Sequence, residues 1–153
     1  MNASSANSSI TSFGSQALDE IVERLKKTNN PKRRYEYVLW LAKQLPTLPN
    51  EFLTENIKVK GCVSDVYVLG ELINGQLQWK GFSDALITRG LLALLIKGMS
   101  NLTPEQVIEI DNSFIAATGL QASLTPSRAN GFLNILLSMK AQARALNLGT
   151  PSC

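Results

Sequence analysis

Asn74-Gly75 constrains the fold of this chain more than any other pair of residues. A two-residue type I′ turn needs left-handed backbone at both central positions, which asparagine and glycine tolerate, and its twist matches that of two antiparallel strands. The turn sets the register. Ile73 faces Gln76, Leu72 faces Leu77, Glu71 faces Gln78 and Gly70 faces Trp79. Alternation then places Val66, Val68, Leu72, Leu77 and Trp79 on one face, the face expected to meet the core. Tyr67, Leu69, Glu71, Gln76, Gln78 and Lys80 share the other.

The period is helical on both sides of this hairpin. Leu18, Ile21, Val22 and Leu25 recur at helical spacing from about Ser15, with Lys26 and Lys27 in the last turn, where cations suit the helix dipole. Asn29-Asn30-Pro31 breaks the pattern and opens a second helix, with Tyr35, Val38, Leu39, Ala42 and Leu45 as its apolar face. Pro46 and Pro49 end it. Residues 46–56 read as a loop, and Ile57 and Val59 alternate with Lys58 and Lys60 as on a half-buried strand. Beyond the hairpin, Ser83 or Asp84 can cap a helix running to about Gly98 that is apolar nearly all round, hence central and buried. Thr103-Pro104-Glu105-Gln106 is a capping box for a short helix to about Ile110. Residues 111–119 suggest a further helical turn. Thr125-Pro126 opens a last helix with Phe132, Leu136, Met139, Ala143 and Leu146 on one stripe. The expectation is an α+β fold, a three-stranded antiparallel sheet with helices packed on one face. It forms a single domain over residues 15–147, between a disordered N-terminal tail (1–14) and a C-terminal tail (148–153).

Composition excludes several chemistries. The chain of 153 residues has no histidine. It therefore has neither a Ser-His-Asp nor a Cys-His nucleophile pair, and no histidine-containing metal site. Its two cysteines, Cys62 and Cys153, are too few for a secreted disulfide framework, a four-ligand zinc site or the usual cysteine set of an iron–sulfur scaffold. A net charge of +3 is too even a balance for a dedicated nucleic-acid binder. The longest apolar run, residues 91–96, is too short to span a bilayer. With no secretory signal in the opening residues, a cytoplasmic location is expected, with no membrane partner.

Cys62 lies in Lys58-Val59-Lys60-Gly61-Cys62-Val63-Ser64. If residues 57–60 pair with the strand beginning near Val63, Gly61-Cys62 is the tip of a hairpin, and glycine at the first central position suits a type II′ turn. Lys58 and Lys60 then favour the thiolate, the nucleophilic form. The bland alternative stands beside this: a lone cysteine next to apolar strands is usually a small core residue.

Four segments carry a resemblance: Arg34-Tyr35-Glu36-Tyr37-Val38-Leu39-Trp40-Leu41 with Leu45-Pro46, Val59-Lys60-Gly61-Cys62-Val63-Ser64-Asp65-Val66, Ser83-Asp84-Ala85-Leu86-Ile87-Thr88-Arg89-Gly90-Leu91, and Leu124-Thr125-Pro126-Ser127-Arg128-Ala129-Asn130-Gly131. In this order they resemble the SufE family of sulfur-acceptor proteins. The resemblance implies a fold shared with IscU-type scaffolds and an acceptor cysteine at Cys62. It also implies a partner, a SufS-type cysteine desulfurase that holds the pyridoxal phosphate itself, so no cofactor is expected on this chain. Cys62 would take sulfur as a persulfide, stimulate the desulfurase and deliver sulfur to downstream iron–sulfur scaffold proteins. The chain would have no turnover of its own, and a homodimer is in keeping with several relatives. An iron–sulfur scaffold and a non-catalytic interaction module are the alternatives.

The matched segments also imply supporting positions at Lys60, Gly61, Ser64, Asp84, Arg128 and Asn130. Arg128 can hold a thiolate or persulfide by charge or pair with Asp84. Equally, Asp84 can merely cap its helix and Arg128 merely order the first turn of the last one. Arg89 is expected at the surface or a partner contact. Where many relatives have Gln after the cysteine and Gln-Val-Trp further on, Val63 and Asp65-Val66-Tyr67 stand here. The Asp65 carboxylate should disfavour a thiolate unless it points away. Cys153 has no counterpart in the family pattern.

Overall fold

The computed structural model describes residues 12–46, 48–62 and 64–148. Residues 1–11 and 149–153 of the expected tails lie outside the described residues. Phe13 and Gly14, assigned to the N-terminal tail by their polar surroundings, belong instead to the packed body. Phe13 meets Phe114 edge to face at 6.4 Å, and its carbonyl accepts a hydrogen bond from Asp111 N. An aromatic ring with such a partner gains more by packing than by staying in water.

Helix α1 is Gln16–Lys27, and Ser15 caps it, accepting from Leu18 N while donating to Gly98 O. Helix α2 is Pro31–Ala42, where Asn30 accepts from Lys32 N and Arg33 N. It buries Val38, Leu41 and Ala42, whereas Tyr35 is exposed, so the buried stripe runs one position round from the expected face. Strands β1 (Val66–Ile73) and β2 (Gln76–Ser83) pair antiparallel in the register that the turn dictates. Asn74 (φ 53°) and Gly75 (φ 81°) are both left-handed. Val66, Val68, Leu77 and Trp79 are buried, as their face requires, but Leu72 is 45% exposed. Next to the turn the hairpin overhangs the helices, and Ile73 is exposed beside it.

The expected third strand is absent, and the sheet has two strands among the described residues. Ile57 ends a 3-10 turn, Glu55–Ile57, and pairing is confined to the bridge Lys58–Tyr67 and the bond Val59 N to Val66 O. Val59 is buried, which explains the alternating pattern without a strand. In this register six positions, 60–65, separate the bonded residues Val59 and Val66, against the two expected for a tip at Gly61-Cys62. Further along the β1 edge, Gln142 accepts from Gly70 N and donates to Val68 O. The β2 edge is met by Leu102 O and Asn101 N, both bonded to Leu77, and by Pro46 O, bonded to Gly81 N.

Helix α3 (Leu86–Met99) is the central helix and is buried on nearly every side. It packs on α1, α2 and β2, and its Gly90 lies against the Val38 backbone. Short helices α4 (Pro104–Ile108, with the expected capping box) and α5 (Phe114–Ala117) lead to the long helix α6, Pro126–Asn147. Buried Lys140 of α6 donates to Ile110 O and Asn112 Oδ1, tying α6 to the loop after α4. Helices pack on one face of a small antiparallel sheet, the α+β arrangement expected. Among the described residues no helix is long and apolar enough to cross a membrane.

Candidate functional site

The loop of residues 60–65 is fixed at both ends. At its exit, Asp65 N donates to Asp84 Oδ1 (3.1 Å), and Asp84 N donates to Asp65 O (3.3 Å). The Asp65 carboxylate turns back across the neck of the loop to Lys58 Nζ, 3.2 Å away. At its entrance, Gly61 is left-handed (φ 80°), and its carbonyl accepts from Asn134 Nδ2 of α6 at 2.9 Å. Glycine is required there: the conformation is strained for other residues, and a Cβ would come within 2.8 Å of Asn134 Nδ2.

Cys62 therefore faces α6, not solvent. It is half-buried, and its Sγ lies 3.9 Å from Gly131 O, a weak sulfur contact. A Cβ at Gly131 would lie in ordinary van der Waals contact with Cys62 Sγ, at 3.7 Å, so the thiol sits directly against this turn of α6. Burial pushes the Cys62 thiol up from its ordinary pKa, because the thiolate loses hydration and gains no hydrogen-bonded cation. Lys58, expected to favour the thiolate, is committed to Asp65, whose hydrogen bond and charge raise its own pKa. The loop thus holds a protonated thiol at neutral pH.

Cys62, Ser64, Thr88, Ser127, Arg128 and Gly131 line one cleft. Its free volume, about 10 Å³, is at the limit for a single water and too small for an organic ligand. Of the residues expected from sequence, Cys62, Gly61, Ser64 and Arg128 come together here. Asp84 sits at the loop exit and makes neither the expected helix cap nor a pair with Arg128. The residue at the cap of α3 is Ala85, and Ser83 Oγ accepts its N–H. Lys58–Asp65 is the only ion pair among the described residues. Asn130 is exposed and stands outside the cleft, as does Lys60, which lines a separate groove. Arg89 is engaged within the chain, donating twice to Ser83 O with its guanidinium over the Phe82 ring.

That groove, about 770 Å³, runs along the other side of the loop between α6 and residues 51–60. Lys58 and Lys60 line it on one wall, Asn134, Leu137 and Gln142 on the other. Asn134, which touches both loop and groove, escaped the sequence reading. The available signal was its position three residues after Gly131, which puts both on one helix face.

A model of the SufE family, described as an Fe-S metabolism associated domain, matches residues 19–143. The chain belongs to the SufE family. An uncharacterised SufE-like protein of Synechocystis is 48% identical over 132 residues, covering 86% of this chain and 83% of that protein. A protein of Plasmodium vivax named cysteine desulfuration protein SufE is 38% identical over 117 residues. That match covers 74% of this chain and 46% of the Plasmodium protein, so the chain spans under half of that relative's length. Among solved structures, the solution structure of a hypothetical protein from Thermus thermophilus is similar, with a TM-score of 0.74 and 26% identity. The likeness covers 87% of this chain and 98% of that one. The SufE match contains every residue of the loop and the cleft.

Proposed function

We propose that this chain is a sulfur acceptor that takes sulfane sulfur from a SufS-type cysteine desulfurase onto Cys62 and passes it on for iron–sulfur cluster assembly. The observation that carries the proposal is the placement of Cys62: a half-buried thiol on a loop fixed at both ends, within a SufE-family chain. A relative named for cysteine desulfuration supports the same reading.

The transfer needs neither oxidant nor metal. The Cys62 thiolate attacks the outer sulfur of the desulfurase persulfide. That S–S bond breaks, a new one forms on Cys62, and the desulfurase cysteine leaves as thiolate. Pyridoxal phosphate belongs to the desulfurase, where the sulfur is first removed from cysteine. In the resting loop Cys62 is protonated and faces α6, so docking has to turn the loop outward and release the proton. Arg128, across the cleft, supplies the positive charge that would then favour a thiolate or persulfide. Inward burial in turn shields a loaded persulfide from stray thiols and oxidants. The chain acts as carrier and activator, with no turnover alone.

A cluster scaffold is the weaker reading. Among the described residues no group of three or more His, Cys, Asp or Glu side chains is placed to hold a metal ion.

The test is mass spectrometry after incubation with a SufS-type desulfurase and cysteine. One sulfur atom's mass on the peptide containing Cys62 supports the acceptor role. The same mass on Cys153 alone, or on neither cysteine, overturns it.

A further inference from the structure

The acceptor loop and helix α6 meet in a simple register. Adjacent loop residues, Gly61 and Cys62, engage Asn134 and Gly131, which are three apart and so on one face of the helix. Cys62 Sγ makes the long contact with Gly131 O, while Gly61 O receives the short, well-formed bond from Asn134 Nδ2, 2.9 Å against 3.9 Å. The thiol has weak polar contacts of its own. The left-handed backbone at Gly61 turns the carbonyl toward α6, so the amide of Asn134 grips the loop one residue before the cysteine. The opposite end of the loop is held independently through Asp65.

We propose that Asn134 is a positioning residue for Cys62: its hydrogen bond to Gly61 O is a latch that sets how much of the time the thiol is turned in against Gly131 and how much it is presented outward. The inference rests on the reading of Cys62 as the acceptor, and it adds the residue that governs its presentation. Asn134 also lines the groove beside the loop, so the latch is accessible from outside the thiol's own cleft. Breaking it requires no change in the core, because Asn134 is only partly buried on α6.

The experiment measures the rate at which iodoacetamide alkylates Cys62 across pH in a Cys153→Ser background, where one thiol remains. No desulfurase is present, so failure of the latch and failure of the acceptor role are read separately. Asn134→Leu is close in size and removes the donor. It is expected to speed alkylation about three- to tenfold, the effect of losing one ordinary hydrogen bond. The midpoint of the pH profile should also move down toward that of a free cysteine. Asn134→Gln keeps an amide donor and is expected to stay near the parent. Gly61→Ala, which forces a Cβ onto Asn134, should open the loop in the same direction as Asn134→Leu. An Asn134→Leu protein that unfolds at the parent temperature and alkylates at the parent rate would overturn the proposal. So would Leu and Gln variants that are equally fast, since the donor would then be irrelevant. If Asn134→Leu does not fold, an unchanged rate and profile in Gly61→Ala overturn it.

Discussion

Lys58 and Asp65 close the neck of the Cys62 loop, with Nζ and Oδ1 3.2 Å apart. From sequence, Asp65 looked like an obstacle to thiolate chemistry three residues away. In the structure its carboxylate turns away from Cys62 and neutralises Lys58, so both charges are withdrawn from the thiol. Asp65→Asn should leave the thermal midpoint almost unchanged, because the pair is exposed and such pairs contribute little. It should quicken alkylation of Cys62 by loosening the neck. High salt should quicken alkylation of the parent in the same sense by screening the pair, and should have less effect on the variant.

Burial raises the Cys62 pKa in the folded chain above its unfolded value. The folded state therefore keeps its proton longer. The stability that this proton linkage contributes is fully present below the unfolded value, about 8.5, and is lost as pH rises through the higher folded value. Two measurements check it in a Cys153→Ser background. Alkylation of native protein should reach half its maximal rate at a higher pH than alkylation of urea-unfolded protein. Denaturant melts at rising alkaline pH should show the parent losing stability faster than Cys62→Ala.

Gly90 lies where α3 crosses α2, and a Cβ there would collide with the backbone carbonyl of Val38 as well as its side chain. A carbonyl inside a helix cannot move aside as a side chain can. Gly90→Ala should destabilise the fold by at least the usual cost of overpacking, about 1–3 kcal/mol, despite the better helix propensity of alanine. Urea melts of parent and variant give the difference. Gly75→Ala meets no neighbouring atoms and serves as a contrast in which only the left-handed backbone is strained.

Lys140 is a cation inside the body of the protein, and burial lowers its pKa. Its two acceptors, Ile110 O and Asn112 Oδ1, have the ammonium as donor. Lys140→Met keeps the stem and removes the donors, leaving the Ile110 carbonyl unpaired, a loss of about 1–3 kcal/mol. Chemical denaturation measures it. Hydrogen exchange should locate the loosening in residues 110–114 and the adjoining Phe13, whose carbonyl binds Asp111 N.

What was legible in the sequence was local. The Asn74-Gly75 turn dictates the four strand pairs nearest to it, and the structure continues that register over eight pairs. The Thr103-Pro104 and Thr125-Pro126 pairs mark the starts of their helices. What was not legible depended on distant partners. The alternation over residues 57–60 has the pattern of a strand, yet buried Val59 accounts for it, and Gln142 takes the hydrogen bonds of Val68 and Gly70 that a longer strand would use. Asp84 has the chemistry of a helix cap and of a partner for Arg128, but its acceptor is used by Asp65 N, 19 positions earlier. Asn134 was silent because its partner Gly61 lies 73 positions away. Cys62 itself was found, but composition alone left burial and exposure as rivals. The structure answers with a half-buried thiol that lies against Gly131, on a loop held at both ends.

The side-chain amide of Gln142 reproduces, with one residue, the donor and acceptor that a neighbouring strand would have offered to Gly70 and Val68. Leu102, Asn101 and Pro46 do the same with backbone groups on the far side of the hairpin. A two-stranded ribbon treated in this way offers few open hydrogen-bonding groups along its middle to another molecule. The protein can expose an open groove next to the Cys62 loop without also presenting the middle of its hairpin as a template for fibril growth.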